Sequence, residues 1–404
     1  MIRRLRNILL LVALLALASS VLLYYQWQQP LPALTAQPAL SATMALGGEP
    51  PELPWPTTGA AAVGVAGLGS LAASADQRPR PIASLAKVMT AYLVLHDHPL
   101  RPGDRGPTVT VTADDVATYQ QELADDQSVV PVAEGEQLTE YQLLQALLVP
   151  AGNNIAEILA AWDAGAVAAF VAQMNARAAD LGMTATHFAD PSGVAPQTVS
   201  TAPDLILLTQ AAMADPTFAA IVTQEQVTLP LVGTVFNTNA ALGQQGMVGV
   251  KTGSTPEAGA CFVFAADQQV NGEDVLVLGA VLDQPQLSDA FAVSEALAAA
   301  VPAGFASATV LAAAQIVGSY DAPWGAHVDV APPHEVDVVG WPGSPVDLAV
   351  DLEPMAAPLA AGARVGSVTV RTGNQAQTVE LLTTGPLDLP DQRWRLLRSL
   401  QRSD

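Results

Sequence analysis

Pro81-Ile82-Ala83-Ser84-Leu85-Ala86-Lys87-Val88-Met89-Thr90-Ala91 sets a serine and a lysine three residues apart, at the head of a stretch (82–95) with helix-like apolar spacing. On a helix that spacing puts both side chains on one face, one turn apart. A serine hydroxyl is a weak nucleophile until a neighbouring base takes its proton, and a lysine at that distance can take it. The lysine must then be neutral, so its pKa has to fall well below the unperturbed value of about 10.4. Burial and a second positive charge nearby both push it down. Ser-x-x-Lys alone is common on solvated helix faces, so the motif needs partners elsewhere in the chain.

The first partner is Lys251-Thr252-Gly253, which follows the strand-like Val248-Gly249-Val250. A lysine on an edge strand above the serine supplies positive potential to a carboxylate and the like charge that keeps Lys87 neutral. Thr252 offers the same carboxylate a hydroxyl, and Gly253 lets another backbone approach closely. Lys87 and Lys251 are the only lysines in 404 residues. Surface solubility does not use lysine here, so each survivor has a specific task. The middle element is Ala151-Gly152-Asn153, at the start of a helix after Pro150.

The order Ser-x-x-Lys, an Asn motif, then Lys-Thr-Gly is shared by penicillin-binding proteins and class A β-lactamases. Over roughly residues 75–390 the chain resembles more narrowly the low-molecular-mass D-Ala-D-Ala carboxypeptidases, serine peptidases of the S11 type. Leu147-Leu148-Val149-Pro150-Ala151-Gly152-Asn153-Asn154, Pro191-Ser192-Gly193, Asn237-Thr238-Asn239 and Lys251-Thr252-Gly253-Ser254-Thr255 carry the resemblance, with the stretch around Ser84. It implies an α/β (α+β) serine β-lactamase/DD-peptidase-like domain followed by a small all-β domain. It further implies that Ser84 attacks the carbonyl between two D-alanines while Lys87 takes its proton. Asn153 would hold Lys87 and the substrate amide, and Lys251 and Thr252 would face the terminal carboxylate. Gly253, Ser254 and Thr255 complete the implied binding strand, with the N–H groups of Ser84 and Ser254 as oxyanion hole. The implied partners are peptidoglycan stem peptides and β-lactam antibiotics, with no cofactor and no metal.

Two departures stand out. The family has serine where this chain has Ala151, a hydroxyl thought to help relay protons. Relatives also carry an arginine near the position of Asp283, whereas no arginine occurs here between Arg177 and Arg364, which leaves carboxylate recognition to Lys251 and Thr252. Both departures favour, as the alternative, an impaired relative that binds wall peptides or a partner without turnover. A β-lactam hydrolase is disfavoured, because no Glu-x-x-Leu-Asn pattern lies between Asn153 and Lys251. Carboxypeptidase and endopeptidase are not separable, since both share the acylation step.

Working outward, residues 59–302 read as the catalytic domain, with further helical spacing at 138–161, 167–181 and 203–213. Strands are expected at 250–251, 261–266 and 275–282. Cys261 reads as a buried strand residue. Residues 303–388 read as the β domain: Val346, Leu348, Val350 and Leu352 alternate, and 365–371 and 376–382 flank a hairpin turn at Thr372-Gly373-Asn374-Gln375. Residues 29–58, rich in Pro and Ala, read as a spacer. Residues 389–404 read as a basic amphipathic tail able to rest on membrane lipid.

Residues 1–28 read as an N-terminal membrane anchor. The apolar run 8–25 would span about 27 Å as a helix, and Arg3, Arg4 and Arg6 before it place the N-terminus inside. A cleaved signal peptide is the competing reading, disfavoured because the run continues through Val21-Leu22-Leu23. The expected place is a bacterial cell membrane, with the body on the extracytoplasmic side. A formal net charge of −22 argues against nucleic acid.

Overall fold

The computed structural model describes residues 2–373 and 375–398, so Asn374 of the expected hairpin turn and Leu400 and Arg402 of the expected tail lie outside the described residues. The chain divides into two compact units, Glu49–Ala306, and Met1–Gly48 together with Ser307–Asp404.

In the second unit the N-terminal helix Ile2–Gln28 is long and apolar enough to cross a membrane, with a mean hydropathy of 2.5 in its best window. The expected spacer needs correction: Thr35–Pro38 and Ser41–Ala45, inside 29–58, are the two edge strands of a seven-stranded antiparallel sheet. Their Pro- and Ala-rich composition hides them, but an edge strand tolerates proline because its missing N–H is not needed on the open side. Inside the sheet, Pro345–Leu352 pairs with Arg364–Thr372, and that strand with Gln375–Thr383. Val346, Val365, Val368, Leu381 and Tyr320 pack into its core. The tail is not a free helix. Gln392–Leu397 is one short turn of helix, Arg395 stacks 4.9 Å over Trp27, and Arg398 donates to the carbonyls of Gln26, Gln29 and Pro30. Arg398 thus satisfies the Gln26 carbonyl, which the N-terminal helix leaves unpaired at its end, and the carbonyls of the two residues that follow the helix.

The Glu49–Ala306 unit is built on a five-stranded antiparallel sheet. Its strands are β1 (Ala60–Val65), β2 (Gly69–Ala73), β3 (Met247–Thr255), β4 (Gly259–Val270) and β5 (Glu273–Gln284), in the order β3-β4-β5-β1-β2. Alternate residues of β4 face two different layers. Cys261, Val263 and Ala265 join the main core, whereas Phe262 meets Phe291 edge to face at 5.1 Å. The helices are α1 (Ala86–Asp97), α2 (Ala113–Ala124), α3 (Glu140–Leu148), α4 (Asn153–Ala164), α5 (Val167–Asp180), α6 (Ala202–Met213), α7 (Pro216–Val222) and α8 (Leu287–Ala300). Phe291 lies on α8, while α1, α4 and α6 supply most of the opposite layer.

Two helical expectations change in ways that matter for the site. The single stretch 138–161 is two helices, broken where Pro150 ends the first and Ala151 turns into the left-handed region at φ 65°. Asn153 therefore opens α4. The helix expected from residue 82 begins as a 3-10 turn, Ala83–Leu85, so Ser84 sits on the turn that leads into α1.

Candidate active site

Ser84 is held from below and beside by close backbone approaches. Ala83 takes φ 47°, a left-handed conformation rare for a residue with a Cβ. Its carbonyl packs against Gly193, where a Cβ would lie 1.8 Å from that oxygen. On the other side, a Cβ on Gly253 of β3 would lie 2.8 Å from the Ser84 nitrogen. Both glycines are required by space, and the second brings the edge strand directly over the serine.

Lys87, one helical turn on, is fully buried. Its Nζ donates to Asn153 Oδ1 at 2.6 Å and to the Ser192 carbonyl at 2.9 Å, and stands 2.9 Å from Ser84 Oγ. Two of these neighbours can only accept. A neutral amine has two hydrogens and one lone pair, so with both hydrogens given away the lone pair faces the serine hydroxyl. The electrostatics agree: burial, then the charge of Lys251, hold Lys87 well below the ordinary lysine range, against a smaller opposing pull from Asp190 and Glu122.

The partners of Lys87 are themselves fixed. Asn153 Nδ2 donates to Gln127 Oε1 at 2.9 Å, which orients the amide so that its oxygen faces Lys87. Ser192 belongs to a loop organised by the Asp190 carboxylate, which accepts from Ser192 Oγ, Gly193 N, Val194 N and Thr198 Oγ1. Neither Gln127 nor the Ser192 carbonyl was expected from the sequence. Pro191-Ser192-Gly193 is recognisable as a turn, but a carbonyl partner has no side-chain signature, and nothing in the sequence marks Gln127.

Lys251 is 1% exposed, and burial brings its pKa down to about 7. Its Nζ donates to the Thr252 carbonyl at 3.0 Å and reaches Thr238 Oγ1 at 3.4 Å, while Thr238 Oγ1 and Thr252 Oγ1 lie 2.7 Å apart. Thr238 is thus a further member of the group. Ser254 is exposed, and Thr255 Oγ1 accepts from Ala258 N at 3.1 Å in the turn beyond β3. The structure therefore links Ser84, Lys87 and Asn153 in one hydrogen-bonded group, Lys251 and Thr252 in a second, and sets Gly253 against Ser84.

Beside Asp283 lies Arg80, from the segment just before Ser84: Arg80 Nη1 donates to Asp283 Oδ2 at 2.5 Å and Nη2 to Asp76 Oδ2 at 2.7 Å. Cys261 is buried in β4 as expected, its thiol pushed up to about 12 by burial. Asp115 closes a capping box with Thr112 at the start of α2. Among the described residues no three His, Cys, Asp or Glu side chains gather to hold a metal ion.

A serine, a buried amine whose pKa is held well below the ordinary lysine range, an oriented amide and a lysine-threonine pair along a strand edge can perform acyl transfer from a ligand bearing a carboxylate. Comparison with known proteins points the same way. The family model for D-alanyl-D-alanine carboxypeptidases of peptidase type S11 matches residues 69–284. A D-alanyl-D-alanine carboxypeptidase of Mycobacterium tuberculosis is 37% identical over 206 residues, 49% of this chain and 66% of that protein. One of Streptomyces sp. strain K15 is 33% identical over 210 residues, 48% of this chain and 70% of that protein. DacC of Escherichia coli, a D-alanyl-D-alanine carboxypeptidase, is 33% identical, and this chain spans 54% of its length. Among solved structures, the Streptomyces K15 DD-transpeptidase superposes with a TM-score of 0.54 at 29% identity, over 62% of this chain and 97% of that one. Penicillin binding protein 5 from Haemophilus influenzae gives 0.59 over 85% of this chain and all of that one; at 21% identity this shows a shared fold.

Proposed function

The chain belongs to the S11 family of D-alanyl-D-alanine carboxypeptidases, serine peptidases, and on that premise we propose that it trims the terminal D-alanine from peptidoglycan stem peptides through an acyl-enzyme on Ser84. The observation that carries this reading is the Lys87 amine, buried, hydrogen-bonded to Asn153 Oδ1 and the Ser192 carbonyl and 2.9 Å from Ser84 Oγ.

Ser84 Oγ attacks the carbonyl carbon between the two D-alanines and passes its proton to Lys87. The oxyanion meets the N–H groups of Ser84 and Ser254, whose approach Gly253 permits. Among the described residues the outer edge of β3 has no neighbouring strand, which leaves that edge open to pair with an extended peptide. The peptide's terminal carboxylate lies towards Lys251 and Thr252. The C–N bond then breaks, the proton held by Lys87 goes to the departing D-alanine amine, and water later cleaves the ester. A penicillin acylates the same oxygen by opening its lactam amide. The N-terminal helix holds this body at the outer face of a bacterial membrane, with the Arg395–Trp27 stack near the interface.

A second reading, wall-peptide binding without turnover, is favoured by Ala151 and by the lack of any arginine between Arg177 and Arg364. One measurement separates the two. Intact mass is recorded after incubation with penicillin, and release of D-alanine from an acyl-D-Ala-D-Ala peptide is followed in parallel, with Ser84→Ala as control. One penicillin mass on the parent and none on the variant, together with D-alanine release, supports the enzyme. An adduct without release moves the reading to an acylable binder. No adduct on folded protein overturns both the nucleophile and the reaction.

A further inference from the structure

The other phenylalanines of this chain are buried or half-buried, but Phe236 is 69% exposed, more than any other large apolar side chain of the Glu49–Ala306 unit. It ends the second strand of a hairpin in which Gln226–Leu229 pairs with Gly233–Phe236. The ladder runs one step further, because Asn237 N donates to the Glu225 carbonyl at 2.8 Å. Exposure alternates along this stretch: residues 234, 236 and 238 are exposed, whereas 235, 237 and 239 are half-buried or buried. Successive side chains of an extended chain point to opposite faces, so Phe236 shares its face with Thr238. Thr238 is the hydroxyl that meets Thr252 Oγ1 at 2.7 Å and Lys251 Nζ at 3.4 Å. Two extended residues advance the chain by about 7 Å, so the ring stands at the rim of the lysine-threonine group.

Its side of the site is fixed by what lies along β3. Gly253 lies against the Ser84 nitrogen, and Lys251 and Thr252 meet Thr238. Further back, a Cβ on Gly249 would lie 2.9 Å from Val222 Cγ2, and Asn237 Nδ2 donates to the Val222 carbonyl at 3.5 Å. Ser84 and the Phe236-Asn237 step therefore flank the lysine-threonine group from opposite ends. The face around the ring is uncharged: Gln226 stands opposite Phe236, and Thr228 opposite Thr234. A ring in such surroundings suits methylenes rather than an ion. The methyl of a departing alanine is too short to cover it, whereas an unbranched stem of about four carbons, the length of a lysine stem, covers it.

On the substrate direction proposed above, with the scissile carbonyl at Ser84 and the carboxylate at Lys251 and Thr252, we propose that Phe236 is a specificity-determining residue of the leaving-group side. It favours D-amino acids with a long unbranched stem over D-alanine as the residue released.

The test uses the full chain in detergent micelles, with acyl-D-Ala-D-Ala and acyl-D-Ala-D-norleucine as paired substrates. Phe236→Ala and Phe236→Tyr run beside the parent, and kcat and KM are taken separately. The alanine variant is expected to lose about tenfold in kcat/KM on the norleucine peptide relative to the alanine peptide, chiefly through KM. The tyrosine variant keeps the parent ratio. The same peptides are titrated by calorimetry against Ser84→Ala with and without Phe236→Ala, where the ratio of the two Kd values moves by the same factor without turnover. Equal losses on both peptides overturn the proposal by making Phe236 a support for Thr238. An unchanged ratio in turnover and in binding overturns it while leaving the reaction standing. If the parent releases no amino acid from either peptide, the proposed reaction fails and the binding ratio still decides the role of Phe236. Failure of both peptides to bind overturns both.

Discussion

Replacing Lys87 by methionine keeps the volume and removes the amine. Loss of a positioned general base costs about 10²- to 10⁴-fold in rate, or about 2.7–5.4 kcal/mol of barrier. The structure places the expectation at the upper end, because among the described residues Lys87 Nζ is the one group within hydrogen-bond reach of Ser84 Oγ. Stability falls as well. Asn153 Oδ1 and the Ser192 carbonyl lose their donor, at about 1–3 kcal/mol each. Part of that returns, because an amine no longer has to be desolvated. The assay is the second-order rate of acylation by a fluorescent penicillin, read on denaturing gels, with thermal melting as the check on folding. Lys87→Arg runs beside it, since a guanidinium keeps the positive charge but cannot accept a proton. The expected result is a loss of about 10³–10⁴ in both variants. Folded Lys87→Met acylating within about tenfold of the parent would refute the general base, and rescue by arginine would mean that charge, not basicity, is what Lys87 supplies.

Gln127→Ala frees the Asn153 amide to rotate and is expected to cost about tenfold in acylation with little change in melting, measured in the same two assays. Gly253→Ala sets a methyl 2.8 Å from the Ser84 nitrogen, so acylation should fall by about 10² or more as β3 is pushed off the serine. For kcat/KM against pH with a carboxylate-bearing substrate, activity should rise as Lys87 loses its proton and fall above about 7, where Lys251 becomes neutral and stops attracting the carboxylate. Lys251→Arg, always charged, should move the falling limb out of range. In the β unit, the Tyr320 hydroxyl lies within reach of the Glu353 and Val365 carbonyls, so Tyr320→Phe should lower stability by about 1–2 kcal/mol in denaturant titration and leave acylation unchanged.

The nucleophile and its base were legible because lysine is so scarce in this chain: two survivors, both in motifs that need an amine, leave little room for accident. Three strands of the main sheet, β3, β4 and β5, were legible from their apolar runs, whereas β1 and β2 were not singled out. What was hidden is what tertiary closeness creates. Gln127 meets Asn153 across 26 residues and Arg80 meets Asp283 across 203, with no local pattern to announce either. The edge strands at 35–45 were hidden for another reason. Each pairs on one side only and carries prolines or small residues, so composition resembles a linker while the backbone is in a sheet. Helical periodicity ran straight through Pro150 because both flanking helices are apolar, and only the proline marked the break.

That break bears on Ala151, the departure that most weakens the enzymatic reading. A serine there would bring a hydroxyl to the proton path, yet the Lys87 amine already has three partners, Asn153 Oδ1, the Ser192 carbonyl and Ser84 Oγ. What position 151 must supply is the turn itself, a left-handed residue between Pro150 and the Gly152 cap that delivers Asn153 to the first position of α4. Alanine supplies that turn at some cost in backbone strain. The missing hydroxyl therefore bears on how the proton travels from Lys87 to the departing amine and on how water reaches the ester. Formation of the acyl-enzyme depends on contacts that this chain retains, so a loss at position 151 belongs in turnover rather than in the first chemical step.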